Sequence, residues 1–204
     1  MKILAIYPYL TISSSALIIN GKIVAASAEE RFDRKKNSTA FPEKSAKWCL
    51  DYAKITWKDL DMIVVPWNPA LNIQHASKRW IENIRWRGEI LTNVPANLMN
   101  MMQADAPDEF EMRWSGNILK FFNHHECHSA FSFYQSPFKD ANIVSIDGRG
   151  EQETLTISKA NNKDIKKILS IDYPHSIGLF YSTFTDFLGF KVNSDEWKVM
   201  SLAS

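Results

Sequence analysis

Between two short apolar runs, residues 16–19 and 22–26, stands the dipeptide Asn20-Gly21. A two-residue turn that matches the twist of two antiparallel strands needs positive φ at both central positions. Asn and Gly accept that conformation at little cost, so the pair between β-rich runs predicts a hairpin. The run at residues 2–7, bounded by Pro8, adds a strand before it. Three antiparallel strands are therefore expected to open the chain. Pro42 stands at the start of a helical pattern over residues 43–55, with Trp48, Leu50, Tyr52, Ala53 and Ile55 on the apolar side. Strands follow at 61–65, 118–122 and 141–146, with a helix at 124–134 between the last two. A second hairpin is expected from 154–158 and 165–171, then an aromatic-rich helix at 176–188. Strands interleaved with helices make this an α/β chain. Residues 76–91 read as a helix carrying Trp80, Ile84 and Leu91, while 95–116 show no clean period, and the stretch 69–116 reads as a lid or insertion. No element is expected in 29–36, a charged connection, or in 196–204.

Composition narrows the function classes. Across 204 residues Lys and Arg total 24 against 23 Asp and Glu. A net charge of +1 offers no basic surface for nucleic acid or anionic membrane. Two cysteines, Cys49 and Cys127, cannot build a disulfide framework, which fits a reducing, cytoplasmic setting. No apolar run approaches the roughly 18 residues of a membrane span. Seven Trp and twelve Phe promise a sizeable core and an apolar face that expects a partner.

The chemistry-bearing residues are concentrated. Three of five histidines lie in His124-His125-Glu126-Cys127-His128. On a helix, residues four apart share a face, so His124 and His128 can present two imidazoles to one metal ion. The residue after His124 is His125, so the general base of the HExxH proteases is missing. A lone Cys127 without a CxxC partner argues against a zinc finger. Capping or packing at a helix start accounts equally well for the pair taken alone. Asp147 stands at the C-terminal end of an expected strand, followed by Gly148-Arg149-Gly150-Glu151. Glycines after a strand-end carboxylate let backbone approach a metal or phosphate, although the same pattern also serves an ordinary hairpin turn. Two imidazoles and one carboxylate suit iron(II) or zinc and leave coordination positions open.

Several stretches, in order, resemble the O-carbamoyltransferase family of nodulation-factor and antibiotic-tailoring enzymes. The N-terminal domain of that family is similar to the tRNA threonylcarbamoyl-adenosine synthesis enzyme. The stretches are Ile18-Ile19-Asn20-Gly21-Lys22-Ile23-Val24-Ala25-Ala26 and Glu29-Glu30-Arg31-Phe32-Asp33-Arg34-Lys35-Lys36, then His124-His125-Glu126-Cys127-His128-Ser129-Ala130 and Ser136-Pro137-Phe138. Asp147-Gly148-Arg149-Gly150-Glu151 matches an Asp-Gly-x-Gly-Glu motif. Pro174-His175-Ser176-Ile177-Gly178-Leu179-Phe180-Tyr181, Gly189-Phe190-Lys191-Val192-Asn193 and Glu196-Trp197-Lys198-Val199-Met200-Ser201-Leu202-Ala203 complete the series.

The resemblance implies an actin/Hsp70-like, ribonuclease-H-type domain: a mixed sheet with flanking helices and an incomplete second lobe. Residues 1–204 would be the N-terminal part of such an enzyme, lacking its C-terminal adenylate-forming domain. It implies a metal, iron(II) or zinc, on His124, His128 and Asp147. Lys36, Gly148 and Gly150 are the implied contacts to nucleotide or carbamoyl phosphate, with ATP and carbamoyl phosphate as substrates. The implied reaction passes a carbamoyl group from carbamoyl-adenylate to a hydroxyl of a small molecule or sugar, with the missing C-terminal half or a partner subunit completing the machinery. Thr11 stands where the family has its acid/base His, Ile12 where it has Asp, and Ala28 where it often has Glu. Threonine does not transfer protons near neutral pH. These departures favour a second expectation, a non-catalytic metal- or nucleotide-binding partner subunit. A tRNA-modification relative is a third, disfavoured by the balanced charge. Ser13, Ser14 and Ser15 read as a polar turn, or as phosphate-binding hydroxyls.

Overall fold

The computed structural model describes residues 1–8, 12–68, 119–162 and 164–202. Thr11, the expected helix at 76–91 and the expected lid at 69–116 lie outside the described residues. The chain divides into two units, Met1–Phe122 and Asn123–Ser204.

The first unit is built on a five-stranded sheet. Strands β1 (Lys2–Tyr7), β2 (Ser14–Ile19) and β3 (Lys22–Ala28) form the expected antiparallel meander. Asn20 at φ 50° and Gly21 at φ 79° make the turn. Strands β4 (Met62–Val65) and β5 (Leu119–Phe121) then add in parallel beside β1, giving the order β3-β2-β1-β4-β5. A parallel neighbour needs a crossover, and helix α2 (Glu43–Tyr52) lies in the β3–β4 connection. This mixed sheet, an antiparallel meander continued by parallel strands, is the ribonuclease-H-type order.

Period-two burial aims Leu4 and Ile6 of β1 and Ile63 and Val65 of β4 into one core. Ala46, Cys49 and Leu50 of α2, spaced three and four apart, meet them with Leu17 and Phe41. Pro42 precedes α2 and provides no side-chain cap. The buried Glu29 carboxylate does so from across the fold, accepting from the Lys44 and Ser45 amides at 3.2 and 2.8 Å. Helix α2 stops three residues short of the expected end because Lys54 takes φ 56°. Ile55 still packs on the core, which explains its place in the apolar pattern. The connection at 29–36, expected to hold no element, contains a one-turn helix α1 (Glu30–Asp33), ended by Arg34 at φ 61°. Its Glu30 carboxylate accepts from the Asn37 amide at 2.9 Å. Ser14 and Ser15 are part of β2 and not of the expected turn, and the Ser15 hydroxyl donates to the Pro42 carbonyl at 3.3 Å.

The second unit begins with α3 (His124–Tyr134), at the expected bounds. Strands β6 (Asp140–Ile146), β7 (Glu153–Asn161) and β8 (Asp164–Asp172) form a second antiparallel meander in that order. Helix α4 (Ile177–Phe187) follows, with Ser176 as its N-cap accepting from the Leu179 amide at 3.0 Å. A further helix, α5 (Glu196–Leu202), occupies a stretch where none was expected. The Glu196 carboxylate accepts from the Asn193 amide and the Ser182 hydroxyl, a tertiary anchor invisible to periodicity. Val144 and Ile146 of β6, Phe180, Phe184 and Phe187 of α4 and Trp197 of α5 are large apolar side chains exposed in this unit. Among the described residues no helix is long and apolar enough to cross a membrane.

Leu17→Ala should lower the unfolding free energy by about 2–5 kcal/mol, because it empties a fully buried β2 position. Ile23→Ala, at a half-exposed position of β3, should cost under about 0.5 kcal/mol by the same urea titration.

Candidate metal centre

Helix α3 begins without help from its own N-cap, since Asn123 makes no side-chain cap bond. The buried Glu151 carboxylate takes that role from across the unit, with its two oxygens 3.0 and 3.1 Å from the His124 amide. A carboxylate at this end also opposes the helix dipole, worth roughly 0.3–1 kcal/mol and more when buried. His125, Ser129 and Phe133 form the buried face of α3. His124 and His128 lie one turn apart beside that face, and strand β6 delivers Asp147 to them.

The three functional atoms converge. His124 Nε2 lies 2.7 Å from Asp147 Oδ2, His128 Nε2 lies 3.4 Å from the same oxygen, and the two nitrogens are 3.0 Å apart. Among the described residues these three form a group able to hold a metal ion. Their protons cannot satisfy all three contacts together. A carboxylate oxygen only accepts, and an imidazole nitrogen that donates has no lone pair left to accept. If both imidazoles donate to Asp147, two N–H groups face each other at 3.0 Å. A cation in place of the protons relieves this, because it takes a lone pair from each atom. Donor atoms about 2.0–2.2 Å from one ion stand roughly 3 Å apart, which the triangle matches. Two nitrogens and one oxygen suit zinc or iron(II).

Burial pushes the Asp147 pKa up. The opposing hydrogen bonds from His124, His128 and the Gly148 amide are together stronger and hold the carboxyl well below the usual range. Asp147 is thus an anion at neutral pH. The Gly148 amide, 2.6 Å from Asp147 Oδ1, leaves Oδ2 to the imidazoles.

His125, in the same motif, plays another part. It is almost fully buried, with Nδ1 3.2 Å from the Thr156 hydroxyl and Nε2 without a hydrogen-bond partner. Burial outweighs the nearby Glu153 and Asp147 carboxylates and keeps it below the ordinary imidazole value, so it is neutral. Its ring explains Gly150: a Cβ there would lie 2.9 Å from His125 Cδ2 and 3.2 Å from the Glu153 carbonyl. Packing against this ring requires a glycine at position 150, while a Cβ at Gly148 would meet open space. Lys36 belongs to the first unit, exposed in a turn after α1. Burial first, then the Glu151 and Glu126 charges, push the Cys127 thiol up to about 12. Sequence reasoning passed over Glu151, Ser176 and Gly178. Of these only Ser176, an N-cap residue before an apolar run, had a local signal.

The Carbamoyltransferase N-terminus family matches residues 2–204. The chain belongs to that family. Among curated relatives, the uncharacterized protein sll1178 of Synechocystis is 34% identical over 98% of this chain and 34% of its own length. Nodulation protein NolNO of Sinorhizobium fredii is 26% identical over 93% of this chain and 27% of its own. The chain thus spans about a third or less of these relatives. The solved structure of YeaZ from Pseudomonas aeruginosa aligns over 85% of this chain and 67% of that one, with 12% identity and a TM-score of 0.39.

Gly150→Ala should destabilise this carbamoyltransferase-family chain by about 1–3 kcal/mol in urea titration, because the added methyl overlaps the His125 ring. Both thiols should resist iodoacetamide at pH 8.5 in the native chain and react once urea unfolds it. Burial puts Cys49 at about 11 and Cys127 at about 12, so little thiolate forms.

Proposed function

We propose that this chain is the metal-binding N-terminal portion of an ATP-dependent O-carbamoyltransferase, with His124, His128 and Asp147 holding iron(II) or zinc. The observation that carries this reading is the triangle of two imidazole nitrogens and a carboxylate oxygen, whose contacts protons cannot satisfy together. Membership of the Carbamoyltransferase N-terminus family supports it. A bound cation supplies Lewis-acid polarisation of a carbonyl or phosphoryl oxygen. In the reaction, an acceptor hydroxyl attacks the carbamoyl carbon of carbamoyl-adenylate. The bond from that carbon to the phosphate oxygen breaks, AMP leaves, and the hydroxyl proton is lost. The residues of this chain orient the donors. Glu151 fixes the start of α3, His125 seats the Gly150 loop, and Asp147 keeps its negative charge at working pH. Lys36, exposed on the first unit, serves a phosphate group. The acceptor is a small molecule or sugar, and ATP and carbamoyl phosphate are the source of the donor.

One sequence observation favours a second reading. Thr11 and Ile12 occupy the positions of the family's His and Asp, so a chain that binds metal without transferring the group would act as a partner subunit.

The test is metal content and affinity. The purified chain should bind one iron(II) or zinc ion by mass spectrometry of the metal and by calorimetry. His124→Ala and His128→Ala should each abolish binding, and Phe131→Ala, exposed on the same helix, should leave it intact. Equal binding in all variants would reject the cradle. Carbamoyl transfer by a metal-loaded full-length assembly, lost in His124→Ala, separates the enzyme from the partner subunit.

A further inference from the structure

The Asp147 carboxylate has to point at two imidazoles, and its own strand does not determine where it points. β6 ends at Ile146, and the Asp147 amide donates to the Thr154 carbonyl at 2.9 Å, which places the main chain. The carboxylate is steered by the next peptide. The Gly148 N–H holds Oδ1 at 2.6 Å, so the orientation of the Asp147–Gly148 peptide decides where Oδ2 goes. That peptide is a rigid plane with the Asp147 carbonyl at its other side. Fixing the carbonyl therefore fixes the N–H, and the N–H aims the carboxylate.

The first turn of α4 holds this plane and the peptide that follows it. Ser176 Oγ shares its single proton between the Gly148 carbonyl at 2.7 Å and the Asp147 carbonyl at 3.2 Å. Its lone pair accepts from the Leu179 amide, which ties the hydroxyl to the helix. Gly178 lies flat against the same plane. A Cβ there would stand 2.6 Å from both the Asp147 oxygen and the Gly148 nitrogen, and that approach is open only to glycine.

We propose that Ser176 and Gly178 are positioning residues of the metal centre, holding the Asp147–Gly148 peptide so that the carboxylate completes the pair of imidazoles. The inference rests on the metal reading above and assigns these residues no contact with the ion. Outer partners of metal ligands typically contribute 10–100-fold in affinity.

Cobalt(II) is a suitable probe, read by calorimetry and by its visible spectrum on the full chain. Ser176→Ala should weaken cobalt binding by about tenfold or more and change the spectrum, while Ser176→Thr, which keeps the hydroxyl, should restore both. Gly178→Ala should weaken binding further. The nitrogen-15 shifts of the His124 ring in the metal-free chain provide a second readout. They should move in Ser176→Ala and return in Ser176→Thr, since they report the contact with Asp147. Wild-type cobalt affinity, spectrum and ring shifts in Ser176→Ala would overturn the proposal, even if its melting temperature falls. Should Gly178→Ala fail to fold, the Ser176 pair decides. Cobalt binding that is lost in His124→Ala but unchanged in Ser176→Ala sinks the positioning role alone. No cobalt binding by the wild-type chain sinks the metal reading and this inference with it.

Discussion

An α-helix starts with backbone N–H groups that have no acceptor within the helix, and the molecule meets that requirement with carboxylates brought from elsewhere. Glu151 serves α3, and Glu29 serves α2 in the other unit. Neither helix has a side-chain cap of its own. A hydrogen bond to a charged group contributes about 1.5–3 kcal/mol, and a buried carboxylate left without donors costs more than that. Each glutamate therefore locks a helix start to a strand or loop distant in sequence. At α3 this matters for chemistry, because the locked residue is His124 and the lock comes from the loop that carries Asp147.

The five residues from Asp147 to Glu151 thus do several jobs within a short span. Asp147 offers a carboxylate oxygen, and Gly148 turns its amide back to hold the other oxygen. Gly150 leaves room for the His125 ring, and Glu151 takes the His124 amide. The middle histidine of the motif, poor as a ligand because it is buried, keeps the loop against the helix. Helix α4 closes on the same loop from another side through Ser176 and Gly178. Helix, loop and helix start are thus joined by hydrogen bonds and close packing around the three donor atoms.

Much of the fold was legible because its signals are local. Asn20-Gly21 demanded a turn with two positive φ values, and the flanking runs supplied its strands. Apolar spacing found α3 at its observed bounds and α4 within a residue at each end. The misses have physical causes. Helix α2 ends early because Lys54 adopts a left-handed conformation, which composition does not announce. Helices α1 and α5 are short and gain their stability from side chains folding back on them, such as Glu30 and Glu196. The packing that demands a glycine at position 150 was hidden, because the ring it meets lies 25 residues earlier in sequence.

The order of residues alone determined the strand–helix alternation, the i,i+4 pairing of His124 with His128, and the family resemblance, since each depends on neighbours along the chain. Folding in three dimensions settled the rest. It brought Asp147 Oδ2 to 2.7 Å from His124, seated His125 over Gly150, and laid Gly178 on the Asp147–Gly148 peptide. These are contacts between segments tens of residues apart, governed by distances of a few tenths of an ångström. No local pattern encodes such distances, because they are set by packing and by hydrogen bonds that form only when the whole unit closes.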